Sequence, residues 1–436
     1  MKPILLIFIT LISFNTLNAQ VMGLRDQAAW RDSILEKRLT ILLPDLMERA
    51  SIDVWVVIGA EYNEDPVLRT LLPATWISAR RTTMLVMARN RVTGGIDRMA
   101  VARYDVGRSF KSAWNPDTDP DQFKRLAQIV SSYQPERIGI NTSLHFDHAN
   151  GITHTEHARF MDALPSRLRR SVVSAEALAV GWLETRIPEE MAMYTHVNET
   201  AHAIIERGLS REAIAPGVTT TKELEWWFRE TVRGMGLDVW FHPSVSVQRG
   251  GAPEHAGDFS TKPGEEVIRA GDLVHLDFGI QYLGLHTDTQ RMVYILKEGE
   301  TEPPKGLITA FARGNRLQDI LTSNFANGRT GNDVLKRSRA QAIAEGLRPS
   351  IYTHPIGLHG HAAGATIGMW DKQDGVPGDG DYPLYPNACW SIELNVTESV
   401  PEWGKDVRIM LEEDAFFDGR TVRYIAGRQE ALYVIR

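Results

Sequence analysis

A single cysteine, Cys389, stands in 436 residues. That excludes a disulfide framework, a Cys-based zinc site and an iron–sulfur cluster, so any metal must be held by oxygen and imidazole. Positive charge is not in excess either: 48 Lys+Arg against 55 Asp+Glu give a formal charge of −7, without the basic surplus of a dedicated nucleic-acid binder. There are no tandem repeats or low-complexity tracts, and 43% hydrophobic with 24% charged residues is the composition of an ordinary globular chain rather than a disordered one. Past the first residues, no apolar run reaches the roughly 20 residues that a membrane span needs. The length allows one large domain or two moderate ones.

The amino terminus has the pattern of an address rather than of a fold. Met1-Lys2 precede an apolar run from Pro3 to Phe14, and Asn15 to Ala19 follow. A basic start, a short apolar stretch and small residues at its end read as a cleavable secretory signal, residues 1–19, with Ala19 the last residue removed. No cysteine follows to receive a lipid. The expected product is soluble and exported, periplasmic or extracellular, with no dependence on disulfides in an oxidising compartment.

After the signal, residues 24–50 carry Trp30, Ile34, Leu35, Leu39, Ile41, Leu42 and Leu46 at helical spacing. Strand-like runs follow at Val54-Trp-Val-Val-Ile58, Met84-Leu-Val-Met87 and Ile138-Gly-Ile140, with amphipathic stretches at 122–133 and 156–163. Strands alternating with helices predict an α/β unit, and nothing in it gathers titratable groups as a site would. Near 180–186 the pattern changes to two long amphipathic helices, 188–208 and 219–236, the second capped by a Thr three residues before Lys222 or Glu223. Trp226 and Trp227, beside Leu224 and Phe228, read as helix core. From Val245 onward strands and Gly/Pro turns dominate, ending in Leu432-Tyr-Val-Ile435. The expected division is therefore 1–19, 20–183 and 184–436.

Chemistry concentrates in the last part. Leu273-Val-His-Leu-Asp277-Phe-Gly279 is a buried strand with a charge in it, and eleven residues later Asp288 opens Asp-Thr-Gln-Arg-Met292. The two segments read as a hairpin that carries two carboxylates into an apolar interior, where a cation must answer them. His354, His359 and His361 fall within eight residues beside Gly357. Glu393 lies in Cys389-Trp-Ser-Ile-Glu-Leu-Asn-Val396, and Glu412 and Glu413 lie in Val407-Arg-Ile-Met-Leu-Glu-Glu-Asp414. Four carboxylates and one imidazole suit two hard or borderline divalent ions, whose charge the carboxylates offset.

This ordered set resembles the pita-bread metallopeptidases, the family of aminopeptidase P, prolidase, methionine aminopeptidase and creatinase. The resemblance covers roughly 185–436, and the preceding unit is similar to the creatinase-type domain found ahead of it in aminopeptidase P and prolidase. It implies an α/β (α+β) chain with a creatinase-like N-terminal domain and a pita-bread catalytic domain. The family's ligand order of Asp, Asp eleven residues on, His, Glu, Glu implies Asp277, Asp288, His354, Glu393 and Glu412 as ligands of two divalent ions, manganese foremost and zinc, iron or cobalt as alternatives. Two positions stay open. His354 has the family's x-x-Gly and a second His, His361, seven residues on; His361 itself has Gly364 but then meets Gly368. Glu412 follows an apolar residue as the family's last ligand does, with Glu413 its competitor, and Arg408 lies four residues before it where the family's arginine lies two before.

The resemblance further implies roles. Glu393 would be ligand and proton shuttle, His361 a donor to the tetrahedral oxyanion, and His255 a substrate-facing imidazole. The implied reaction is hydrolysis of the Xaa–Pro bond at the amino terminus of short peptides by a hydroxide bridging the two ions. Trp370, Tyr382 and Tyr385 are candidates for an apolar wall around the proline ring, and Arg291 or Arg408 for a cation facing a dipeptide carboxylate, so aminopeptidase and dipeptidase action both stay open. The alternatives are a creatinase-like C–N hydrolase or lyase on the same fold, and a non-catalytic binding protein. The implied partners are a short peptide and, by analogy, a second copy of the chain, with no nucleic acid and no membrane once the signal is removed.

Overall fold

The structure is a computed structural model that describes residues 21–251 and 264–436; the signal read at 1–19 and His255 lie outside the described residues. The stretch expected as one helix is Leu24–Lys37 and Leu43–Arg49, joined by a π-helical turn, Arg38–Leu42. Pro44 explains the break. It has no N–H to donate one turn back, and a widened turn absorbs the missing bond. The turn points the Arg38 guanidinium inward, where it is buried.

A six-stranded sheet follows, in the order Lys111–Ser112, Ile96–Val101, Thr82–Arg89, Val54–Ala60, Ile138–Ile140, Val172–Ser174. Val54–Ala60 is antiparallel to Thr82–Arg89 and parallel to Ile138–Ile140. Strand alternation splits its residues between two cores. Val54, Val56 and Ile58 meet Phe123, Leu126, Val130 and Phe160 of helices Gln122–Ser132 and His154–Ala163. Trp55 and Val57 meet Leu35, Leu39, Leu43 and Leu46 of the N-terminal helices. Coverage of both faces accounts for the near-continuous apolar runs.

Helices Pro188–Gly208 and Thr221–Gly234 come next. Thr220 fixes the start of the second: its hydroxyl accepts the Glu223 N–H at 3.1 Å while the Glu223 carboxylate accepts the Thr220 N–H at 2.8 Å. Leu224 and Phe228 face the core, but Trp226 is 50% exposed, against His242, and Trp227 is half-buried. The expectation of core tryptophans is therefore corrected for Trp226, whereas Trp227 packs partly buried against the core. A second correction concerns the region read as strands and turns, which holds two more helices, Lys305–Ser323 and Gly331–Ala344. Gly306 and Gly314 lower the helical signal of the first, yet Gly314 is what seats it. A Cβ there would come within 2.9 Å of the Ile409 and Leu411 side chains.

Among the described residues, a two-stranded sheet of Gln281–Tyr282 and Leu285–His286 and three larger sheets complete this half. One is four-stranded, in the order Tyr433–Ile435, Thr289–Ile295, Asp272–Phe278, Ser244–Arg249. A three-stranded sheet pairs Pro349–Ile351, Leu394–Val400 and Lys405–Leu411; another four-stranded sheet pairs His354–Ile356, Ala388–Ser391, Asp414–Phe417 and Val422–Tyr424. The chain passes between these last two sheets three times, at 352–353, 392–393 and 412–413. The first half meets the second through a buried charge network, in which Glu190 accepts from Arg38 at 2.6 Å and from Arg186 at 2.9 Å. Among the described residues no helix is long and apolar enough to cross a membrane.

Candidate metal centre

The three sheet-to-sheet passages meet the central hairpin at one point. Asp272–Phe278 and Thr289–Ile295 pair antiparallel with Asp277 opposite Gln290, and Asp288 lies one residue before the second strand. His354 opens its strand immediately after the first passage, Glu393 ends the second, and Glu412 begins the third. At such corners the alternation of both sheets is interrupted, so side chains turn into the space between them. His354, Glu393 and Glu412 offer ligand atoms that lie within 4.8 Å of one another, and so do Asp277, Asp288 and Glu412. Glu412 belongs to both groups. A further group within the same limit joins Asp288, His354 and His361.

The electrostatics are those of carboxylates crowded into an apolar interior. Burial, reinforced by the neighbouring Glu412 carboxylate, pushes Asp277, Asp288 and Glu393 well above the usual carboxylate range. Burial alone would lower His354; contact with Glu412, 3.3 Å from its Nε2, outweighs it and raises the imidazole to about 9. Among the described residues Asp277 Oδ1 and Asp288 Oδ1 are buried without a hydrogen-bond partner, and the neighbours of His354 Nε2 are carboxylates, Glu412 at 3.3 Å and Asp288 at 3.6 Å. Unanswered polar atoms in an apolar interior are costly. These three belong to an oxygen-and-imidazole set of the kind that holds divalent ions, so the residues fit the metal that the set implies. The other ring nitrogen of His354 is spent on its own chain, Nδ1 donating to the Pro355 carbonyl at 2.9 Å, which aims Nε2 inward.

The paired alternatives differ in their surroundings. The Glu413 carboxylate is paired with buried Arg291, lies 3.4 Å from His202 Nε2 and accepts the Gln429 N–H at 3.1 Å. His361 stands exposed at the rim, its ring 4.7 Å from that of His354 and 5.1 Å from that of Trp240. His359 turns away from the cluster. Its ring lies 6.4 Å from His286 and 4.4 Å from His148 of the first half, and burial lowers it to about 3.

Several residues around the cluster carried no mark in the sequence. Ser391 donates its hydroxyl to Glu412 at 2.7 Å, and Asp414 accepts the Asp288 N–H at 3.3 Å. The Gln290 carboxamide reaches Glu393 and Glu412 and accepts from His275. Strand alternation could have placed His275 on the face of Asp277; the position of Gln290 depends on cross-strand register, which no spacing reveals.

Of the residues expected to face a substrate, Arg291 is committed to Glu413, whereas Arg408 lines a groove of about 490 Å³ together with Trp370, Leu347, Asn395 and Thr397. Asn395 donates to the Tyr352 hydroxyl at 3.0 Å, and burial and then the Glu393 carboxylate push that phenol up. The aromatic wall is corrected in part. Tyr382 donates to Glu184 at 3.2 Å and packs on Phe146, and Tyr385 lies under the Arg49 guanidinium. These tyrosines serve the contact with the first half, and Trp370 alone of the three lines the groove.

Comparison with known proteins addresses the fold. The sequence profile of metallopeptidase family M24 matches residues 193–414, just over half of the chain. The X-Pro aminopeptidase of Thermotoga maritima superposes with a TM-score of 0.62 at 16% identity, over 89% of this chain and 99% of that one. The dipeptidase of Mycobacterium ulcerans gives 0.60 at 18% identity, over 92% and 98%. The Xaa-Pro dipeptidase of Bacillus anthracis gives 0.57 at 17% identity, over 94% and 100%. No curated protein matches in sequence.

Proposed function

The chain belongs to metallopeptidase family M24 and has its pita-bread fold, and from that premise we propose that it is an exported, dinuclear exopeptidase that cleaves the bond before proline at the amino terminus of short peptides. One observation carries the reading: two ligand groups, His354–Glu393–Glu412 and Asp277–Asp288–Glu412, share Glu412. Asp277, Asp288, His354, Glu393 and Glu412 would hold two divalent ions, manganese foremost. When bound, such ions polarise the scissile carbonyl and lower the pKa of a water.

The rest is work for side chains. Glu393, which burial makes ready to hold a proton, takes one from the attacking water and delivers it to the leaving amine. His361, at the rim, donates to the oxyanion that forms on the carbonyl oxygen. A proline nitrogen has no N–H to be recognised, so the ring is held by shape, against Trp370, with Arg408 on the same groove to face a free carboxylate. His255 faces the substrate, residues 1–19 direct export, and the chain divides into functional units at 183/184 as part of the same reading.

Metal analysis of the mature protein after reconstitution with Mn²⁺, Zn²⁺, Fe²⁺ or Co²⁺ tests the centre. Two ions per chain are expected, and less than half an ion would end the proposal. A matched panel with Pro or Ala at the second position tests the specificity. Equal cleavage of Ala peptides removes the proline reading, and a fully metallated protein that cuts neither is a non-peptidase. Gly-Pro against Gly-Pro-x then separates dipeptidase from aminopeptidase action.

A further inference from the structure

We propose that Gln290 is a positioning residue of the metal centre, its carboxamide turned by His275 so that it fixes Glu393 and Glu412 together. The inference rests on the reading of these glutamates as metal ligands. Gln290 is 3% exposed, so water does not compete for its side chain. Its Nε2 donates to Glu393 Oε1 at 2.6 Å and to Glu412 Oε2 at 2.9 Å, while its Oε1 lies 2.8 Å from His275 Nε2. The orientation of the amide follows from chemistry. A metal-binding carboxylate is deprotonated and only accepts, so in the ligand role read for Glu393 and Glu412 the NH₂ end must face them; the oxygen then faces His275, which must carry its proton on Nε2. Both donors of the amide and its acceptor are engaged.

The backbone supports the same placement. The Gln290 N–H donates to the Glu412 carbonyl at 3.2 Å, which ties the hairpin to the third sheet-to-sheet passage, and in register Gln290 stands opposite Asp277. Glu412 therefore has one carboxylate oxygen held by Ser391 and the other by Gln290. Glu393 has Gln290 as the side-chain donor on Oε1. An amide is the group that can do this. Asparagine is one methylene too short, glutamate would add a fifth carboxylate to the cluster, and methionine fills the volume without a donor. Loss of a group that orients metal ligands typically weakens metal binding by about 10- to 100-fold.

The test uses the full mature chain, stripped by chelation, with Mn²⁺ titrated calorimetrically and Co²⁺ followed by its visible spectrum. Gln290→Met is expected to keep the fold by circular dichroism, to bind Mn²⁺ about 10- to 100-fold more weakly and to change the Co²⁺ spectrum. His275→Phe, which leaves the amide in place but unheld, is expected to give a smaller loss in the same direction. A folded Gln290→Met chain with wild-type affinity and spectrum overturns the proposal. If Gln290→Met does not fold, His275→Phe decides, and unchanged metal binding there overturns it. Wild-type chain that takes up neither metal removes the dinuclear reading and this inference with it, an outcome distinct from a variant that matches a metal-binding wild type.

Discussion

At the residue scale the centre is a problem of unanswered charge. Four carboxylates and an imidazole share an apolar interior, and each corrects the others imperfectly: burial holds protons on Asp277, Asp288 and Glu393, while His354 is kept charged by Glu412. A divalent ion bound as proposed would replace those protons, because ligand carboxylates and imidazole must be deprotonated to bind. The two neighbouring histidines should then separate by readout. His354→Ala is expected to lose at least one ion per chain by elemental analysis. His361→Ala should retain both ions and lose about 10²–10³-fold in kcat, the usual effect of removing one oxyanion donor. The reverse pattern would transfer the ligand role to His361, which lies close enough to Asp288 and His354 to take it. The residues that the structure gathers were legible because spacing along one hairpin and motif order survive in a linear sequence. Gln290 and Ser391 were not, since their importance arises from register and from packing between distant segments.

At the scale of elements, the placing of His354, Glu393 and Glu412 at three passages between the same two sheets explains how short strands can carry a precise cluster. Each passage frees a residue from the ladder and is flanked by strands that are not free. The helix that leads into the second half shows the opposite use of a buried charge. Glu184 ends helix Glu176–Glu184 with 3% exposure; Tyr382 donates to it at 3.2 Å, Arg49 is 3.8 Å away, and among the described residues its Oε2 has no hydrogen-bond partner. Burial raises this carboxyl from 4.5 to about 8. Between those values the folded chain holds a proton that the unfolded chain releases, so unfolding free energy falls as pH rises through this window and levels off above it. Glu184→Gln should remove that part of the slope. Its Tm relative to wild type is expected to be higher at pH 8.5 than at pH 5, and an unchanged difference would contradict the assignment. The Thr220 cap offers a simpler measurement: Thr220→Ala should cost about 1 kcal/mol in urea unfolding.

Legibility at this scale followed periodicity. Helices Gln122–Ser132 and Thr221–Gly234 were recognisable because each has one apolar face, and the strands of the hairpin because both of their faces are buried and read as apolar runs. Helices Lys305–Ser323 and Gly331–Ala344 were missed for a physical reason. The first contains glycines where it presses on the sheet beneath, and what reads locally as a helix breaker is tertiary packing.

At the scale of the molecule, the ligand cluster and the first half draw on different cores. The six-stranded sheet packs Val54, Val56, Phe123 and Val130 on one face and Trp55, Leu39 and Leu46 on the other. The cluster belongs to elements whose apolar residues, such as Leu273, Trp390, Leu394 and Leu411, form a separate one. The two halves are nonetheless bound by Arg38, Glu190 and Arg186, charges buried together that would each be costly alone. Metal binding should therefore stabilise the molecule unevenly. Binding to the folded state alone adds about 2.7 kcal/mol when free ion is 100 times Kd, and that increment acts on the units whose opening exposes the ligands. Hydrogen exchange with and without Mn²⁺ is expected to show added protection in Asp272–Phe278, Thr289–Ile295, Ala388–Ser391 and Lys405–Leu411. Little change is expected in Val54–Ala60 and Thr82–Arg89. Equal protection in both sets would mean that the halves open as one unit, with the buried Arg–Glu–Arg network strong enough to carry the effect of the ions across the whole chain.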